Sequence, residues 1–183
     1  MKDIANINIE TKRLKLRNLQ FYDISSDYID WLNDPDVNKY LCCANSVQTK
    51  ESCLEYVRSY EGKNDKALIG VFFKDNGLHI GNLTLSEIDW HNKIGFIGIC
   101  IGRKEYARRQ LAKEALTAMI KYGFSLLELH CFRAGINVTN EVSINLFLRC
   151  GFKIAETLKK SDFINGEFQD GYVVSICETD VIN

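Results

Sequence analysis

Between Lys93 and Ile136 the chain reads strand, helix, strand, and this constrains the fold more than any other feature. "KIGFIGICIG" (93–102) is apolar on both faces, and "LHCFRAGI" (129–136) is a second strand. The segment between them, through about Leu126, places Leu111, Ala112, Ala115, Met119, Ile120 and Phe124 on or near one helical face. Two strands joined by a helix of this length pair in parallel, with the helix crossing one face of the sheet right-handedly.

The other segments build around that crossover. "TKRLKLRNL" (11–19) alternates as a half-buried strand, and "FYDISSDYIDWLND" (21–34) reads as a helix stopped by Asp34-Pro35. "TKESCLEYVRSY" (49–60) follows a cap-like Thr49. Strands over 66–74 and 78–89 flank the hairpin signal Asp75-Asn76-Gly77, and Gly95 and Gly98 mark a bulge or close approach in the strand that follows. A short helix over 140–151 closes on Gly151, and "FKIAETL" and "FQDGYVVSICE" are terminal strands. The order β-α-α-β-β-β-α-β-α-β-β predicts an α+β domain whose sheet is mostly antiparallel.

A chain of 183 residues, 46% hydrophobic and with a single Pro, has core enough for one domain spanning 1–183 and shows no linker or repeat. A net charge of −1 gives no global pull toward nucleic acid or an anionic membrane, so neither is expected as a partner. No secretory signal or long apolar run is present, which predicts a cytoplasmic monomer or homodimer. The seven cysteines form no CxxC pair and have no His at zinc-ligand spacing. They predict no metal site and mostly reduced thiols, the adjacent Cys42 and Cys43 included.

"KEYARRQLAKEAL" (104–116) is unusual as the start of a helix. Lys104, Arg108, Arg109 and Lys113 crowd the end where the macrodipole is already positive, and no Ser, Thr, Asp or Asn caps it. Two readings fit: a solvated basic face, or a phosphate site made by helix amides and cations.

Several strings, in order from about residue 11 to about 178, resemble the GNAT N-acetyltransferase superfamily, in particular its RimJ/RimL-like branch. They are "RLKLRNLQFYD...WLNDPDV", "IGNLTLSEIDW", "GICIG" and "NEVSINLFLRCGF". The resemblance implies a GNAT-like sheet with a splayed strand pair, acetyl-CoA as cosubstrate, and direct acetyl transfer to a primary amine. That amine would belong to a small molecule or to a peptide, such as a protein N-terminus, an amino sugar or a polyamine. It also implies cofactor contacts from Ile99, Cys100 and Ile101 and from the turn Arg108, Arg109, Gln110, Leu111, Ala112 and Lys113, with Asn140 contributing from the next helix. The family pattern Gln/Arg-x-x-Gly-x-Gly/Ala falls on Ala107 to Ala112, where only Ala112 fits and Gln110 replaces the most characteristic glycine. Phe147 stands where many members carry a Tyr acid, and the resemblance to the RimJ/RimL-like branch implies Ser143, the Ser of its Asn-x-x-Ser element, for a similar duty. These departures keep open an alternative: a catalytically impaired GNAT-fold binding or regulatory protein.

Amine acetylation also requires a route for the amine proton. Glu87 and Asp89 alternate onto one face at a strand end and are candidates for the base, although a surface carboxylate is the commoner fate of either. His91 is the outside candidate for a relay, and Trp31, Tyr40 and Trp90 are candidates to line an acceptor pocket. Asn140 serves as an N-cap, as a cofactor contact, or as both.

Overall fold

A computed structural model describes residues 4–44, 46–164 and 166–181. Its strands are β1 (Asn8–Glu10), β2 (Leu14–Asn18), β3 (Ala67–Phe73), β4 (His79–Asp89), β5 (Ile94–Ile101), β6 (Cys131–Asn137), β7 (Lys153–Ile164) and β8 (Glu167–Cys177). They form one sheet ordered β1-β2-β3-β4-β5-β6-β8-β7. Every neighbouring pair is antiparallel except β5 and β6. The helices are α1 (Ser26–Asn33), α2 (Pro35–Asn38), α3 (Lys50–Arg58), α4 (Leu111–Ser125), α5 (Glu141–Arg149) and α6 (Glu178–Val181). The fold is thus the expected α+β arrangement, and α4 makes the parallel crossover from β5 to β6.

The two faces of the sheet are covered unequally. On one face α4 buries Leu111, Ala115, Leu116 and Met119 against Ile97, Phe132, Ala134 and Val174 in the main core. On the other, α1 and α3 pack Tyr28, Trp31, Cys53 and Val57 against Leu68 and Phe72 of β3. That second cover reaches Cys100 of β5. Beyond it Arg133 and Gly135, which alternate with the core residues Phe132, Ala134 and Ile136, are exposed.

Several local expectations change. Residues 8–10 add an edge strand, because Ile9 finds a partner in Leu16 only once the chain reverses through Thr11. Asp34-Pro35 ends α1 but also starts α2, since the Asp34 carboxylate caps the Asp36 amide at 2.9 Å and Pro occupies the first helical position. The helix expected near 104 begins at Leu111, preceded by a single 3-10 turn over Lys104–Tyr106. The register irregularity lies in β4 between Ser86 and Asp89, not at a glycine of β5. Gly98 is nevertheless a close approach, as a Cβ there would meet Thr84 Oγ1 at 2.8 Å.

Cys131 and Cys177, register partners on β6 and β8, are joined by a disulfide, while the other five cysteines are free. They lie 46 residues apart, and only the insertion of β8 beside β6 brings them together. Among the described residues no helix is long and apolar enough to cross a membrane.

His79 sits under α1, stacked between Phe72 and Tyr28 with ring centroids at 4.9 and 5.3 Å. Its Nε2 donates to the Gly81 carbonyl at 2.9 Å or the Asn82 Oδ1 at 2.8 Å, while Nδ1 is buried without a partner. Burial, only partly offset by these bonds, pushes the imidazole below its ordinary value of 6.5. A group whose charged form is disfavoured in the fold contributes stability above its unfolded pKa and loses it as pH falls. Unfolding free energy measured by urea titration should therefore decline below pH 6.5. The decline should be shallower in His79→Phe, which keeps a stacked ring without the charge.

Candidate active site

The pairing of β5 with β6 is short. Its ladder joins Ile94, Gly95 and Phe96 to Cys131, Phe132 and Arg133, and then stops. From Ile97 to Ile101 one edge of β5 remains paired with β4, and from Ala134 to Asn137 one edge of β6 remains paired with β8. The facing edges therefore diverge into a V with its vertex at Phe96 and Arg133, and backbone donors and acceptors line it without a ladder partner. Such groups must find a hydrogen-bonding partner, and an extended amide-bearing chain would supply one. Ile99 and Ile101 turn their backbone groups to this edge, whereas those of Cys100 between them face β4, as the Gly102 amide does in donating to the Ile80 carbonyl at 2.9 Å.

The open end of the V meets the turn before α4. Arg108 and Gln110 both take a left-handed backbone with φ of 59°. For side chains with a Cβ this conformation costs about 1–2 kcal/mol each. Gln110 occupies the N-cap position of α4, and its side chain makes no capping bond. The first amide to bond back into the helix is that of Glu114, to the Gln110 carbonyl at 3.1 Å. Those of Leu111, Ala112 and Lys113 precede it and have no acceptor within the helix. This is the shape in which successive N–H groups converge on an anion.

The four cations of the basic stretch divide. Lys104 is held by Asp34 at 2.7 Å and Asp36 at 2.8 Å, so it ties the turn to α2 and is not available to a ligand. Arg103 similarly joins Asp27 of α1. The Arg109 guanidinium lies over the Tyr106 ring, 5.1 Å from its centroid. Arg108, Arg109 and Lys113 are exposed, and among the described residues none of them pairs with a carboxylate. Amides and unpaired cations thus fit a diphosphate, while the Gln110 side chain helps to wall a groove of about 390 Å³ with Thr11, Arg13, Lys113 and Glu114.

Asn140 caps α5, accepting from the Ser143 amide at 3.2 Å, so the capping reading holds and Ser143 stands half-buried in the first turn. Phe147 is buried against Phe152, a core position with no proton to give. Tyr40 reaches the end of β6, where its hydroxyl donates to the Thr139 carbonyl at 3.1 Å. It therefore joins the α2 side to the mouth of the V, a contact between residues 99 apart that the sequence does not announce.

The two candidate bases separate. Glu87 is exposed in the β4 irregularity, one residue beyond Ser86, whose partner Phe96 marks the vertex. Asp89 lies further on and caps the β4–β5 turn, accepting from the amides of His91 and Asn92 at 2.9 Å and from Asn92 Nδ2 at 2.7 Å. These bonds, led by that of the Asn92 amide, hold its carboxyl below the usual range, a poor setting for a base. His91 follows it in the same turn, and Trp90 is tied to the Asn64 carbonyl at 2.6 Å. Neither Trp90 nor Trp31, which is buried beneath Gly102, borders the V.

Cys100 is the thiol on the V, and burial pushes it up to about 12, so it remains protonated and is not a nucleophile at neutral pH. His130, Cys131 and Cys177 bring potential metal ligands within 4.8 Å, but the two sulfurs are bonded to each other and only the imidazole is left.

Residues 13–153 match the acetyltransferase (GNAT) domain family. The chain belongs to this family, whose members are acetyl-CoA-dependent N-acetyltransferases. Among its relatives, the uncharacterised N-acetyltransferase p20 of Bacillus licheniformis is 26% identical over 91% of this chain and 93% of its own. The uncharacterised N-acetyltransferase YnaD of Bacillus subtilis is 27% identical over 94% and 98%. The crystal structure of spermidine N-acetyltransferase from Vibrio cholerae, in complex with CoA and spermine, shares the fold. Its TM-score is 0.84 at 22% identity, covering 94% of this chain and 100% of that one.

Replacing Arg108 and Arg109 together by Ala should weaken CoA binding by about tenfold to a hundredfold, the loss of one or two charge-assisted bonds to phosphate. Isothermal titration reads this directly. An unchanged affinity would assign these arginines to the solvated surface.

Proposed function

We propose that this protein transfers an acetyl group from acetyl-CoA directly to the primary amine of a small molecule. The observation that carries the reading is a coincidence of place: the unpaired edge of β5 ends at the same turn that presents the amides of Leu111, Ala112 and Lys113 and the cations Arg108, Arg109 and Lys113. A pantetheine arm bonded to that edge and a diphosphate seated on that turn require no rearrangement of the sheet.

In this reading Ile99 and Ile101 give backbone contacts to the arm, and Cys100 lies between them with its backbone turned to β4. Residues 108–113 hold the diphosphate, and Asn140 flanks it from α5. The acceptor enters from the face that α1 and α3 leave open, past Tyr40 and toward Phe96. Its nitrogen forms a bond to the thioester carbonyl carbon, and the C–S bond then breaks. Glu87 takes the amine proton, and Ser143 passes one to the departing thiolate while its oxygen takes another from solvent. Asp89 has no part in this scheme, being committed to its turn. The assignment to the RimJ/RimL-like branch is part of the same proposal and rests on the string that includes Asn140 and Ser143.

The acceptor is a monoamine rather than a polyamine, because Arg133 stands exposed at the vertex beside Phe96 and repels a second cation. The similarity to a spermidine acetyltransferase supports amine acetylation in general and leaves that choice to the local charge.

Initial-rate kinetics test the scheme. Direct transfer gives intersecting double-reciprocal plots, while parallel plots would require a covalent intermediate. Ser143→Ala should lower kcat by about a hundredfold or more if its hydroxyl is the acid. Arg133→Glu should raise kcat/KM for spermidine over that for a monoamine by about tenfold, the effect of about 1.4 kcal/mol. Absence of CoA binding at millimolar concentration would instead establish the fold as a binding module.

A further inference from the structure

A turn with two left-handed residues and no glycine needs something to hold it, and the structure contains a candidate. The Glu114 carboxylate receives Thr11 Oγ1 at 2.6 Å, the Arg13 amide at 2.8 Å and Arg13 Nε at 2.7 Å. The same Arg13 guanidinium donates through Nη1 to the Arg109 carbonyl at 3.0 Å. Thr11 is itself fixed within the β1–β2 turn, accepting from the Leu14 amide at 2.8 Å. One arginine therefore grips both the first turn of α4 and the peptide unit that leads from Arg109 into the left-handed Gln110.

We propose that this Thr11–Arg13–Glu114 clamp holds residues 108–110 in the anion-binding shape, taking over at position 110 the part a glycine would play, so that Arg13 and Glu114 are positioning residues for acetyl-CoA. The inference rests on the reading of the turn as the diphosphate site. Its geometry follows from the planarity of the peptide: in a trans unit the C=O and the N–H point in opposite directions. Drawing the Arg109 carbonyl toward Arg13 turns the Gln110 amide away from it, toward the free amides at the start of α4. Without that pull Gln110 gains by relaxing to a right-handed backbone, and this amide rotates out of the cluster. The other end of the turn is fastened separately, by Lys104 to Asp34 and Asp36, so the clamp governs residues 108–110 in particular.

A plain ion pair between β2 and α4 would stabilise the fold without affecting the turn, and the two roles are separable by rescue. CoA affinity is measured by titration calorimetry, with the melting temperature as a parallel readout, in wild type, Arg13→Ala, Gln110→Gly and the double variant. Arg13→Ala should weaken CoA binding about tenfold. In the Gln110→Gly background, where the left-handed backbone carries no penalty, the same change should cost about twofold or less, a coupling that only a role in shaping the turn produces. Arg13→Lys, which keeps the charge opposite Glu114 and loses the second arm, should behave like Arg13→Ala in affinity while retaining the wild-type melting temperature. The proposal is overturned if Arg13→Ala lowers the melting temperature but leaves the affinity intact, or if the loss is equal in both backgrounds. Failure of the wild type to bind CoA at all is a different result, since it removes the donor-site reading and the clamp's purpose with it.

Discussion

The parallel ladder between β5 and β6 has three rungs and ends at Phe96 and Arg133. A fourth rung would close the cleft, since the exposed backbone groups of the two strands would then satisfy each other. The divergence is maintained from outside, by β4 on one flank and β8 on the other, each pairing along most of its neighbour's length. The remaining architecture serves to keep that gap open at one end and shut at the other. α4 fills the core behind it, α1 and α3 cover the opposite face from β3 out to Cys100 of β5, and the Cys131–Cys177 bridge lies at the shut end.

The chemistry available in the gap follows from what borders it. Backbone groups dominate one wall, and the titratable side chains are few and unequal in freedom. Asp89 is consumed by amides and Cys100 is kept protonated by burial, while Phe147, buried in the core, has nothing to titrate. In the proposed scheme Glu87 and Ser143 take up and return the proton. A site of this composition works by placing two reactants against each other, with little covalent assistance from the protein.

Much of the fold could be read from sequence because it is written in local patterns. The crossover, the Asp75-Asn76-Gly77 hairpin and the helix capped by Asn140 each depend on residues a few positions apart. What escaped the sequence depends on separations that no local pattern encodes. β8 returns between β6 and β7, and with it come the disulfide and the exposed sheet face around Arg133. The start of α4 was placed too early because cations with good helix propensity fill a stretch that Lys104 and Arg103 anchor to α1 and α2. The same holds for Gln110: its identity departs from the family's glycine, and its left-handed backbone is braced by a residue nearly a hundred positions away.

The insertion of β8 also orders events during synthesis. Chains emerge N-terminus first and fold by units as they do so. Until residues 167–177 leave the ribosome, β6 has no neighbour along its outer edge and is paired with the rest of the sheet through its three rungs to β5. A nascent chain at that stage carries a completed basic turn but only one firm wall of the cleft, along with a bare strand edge open to other chains. The second wall of the cleft is thus completed last, by the strand that is translated after every other described strand of the sheet.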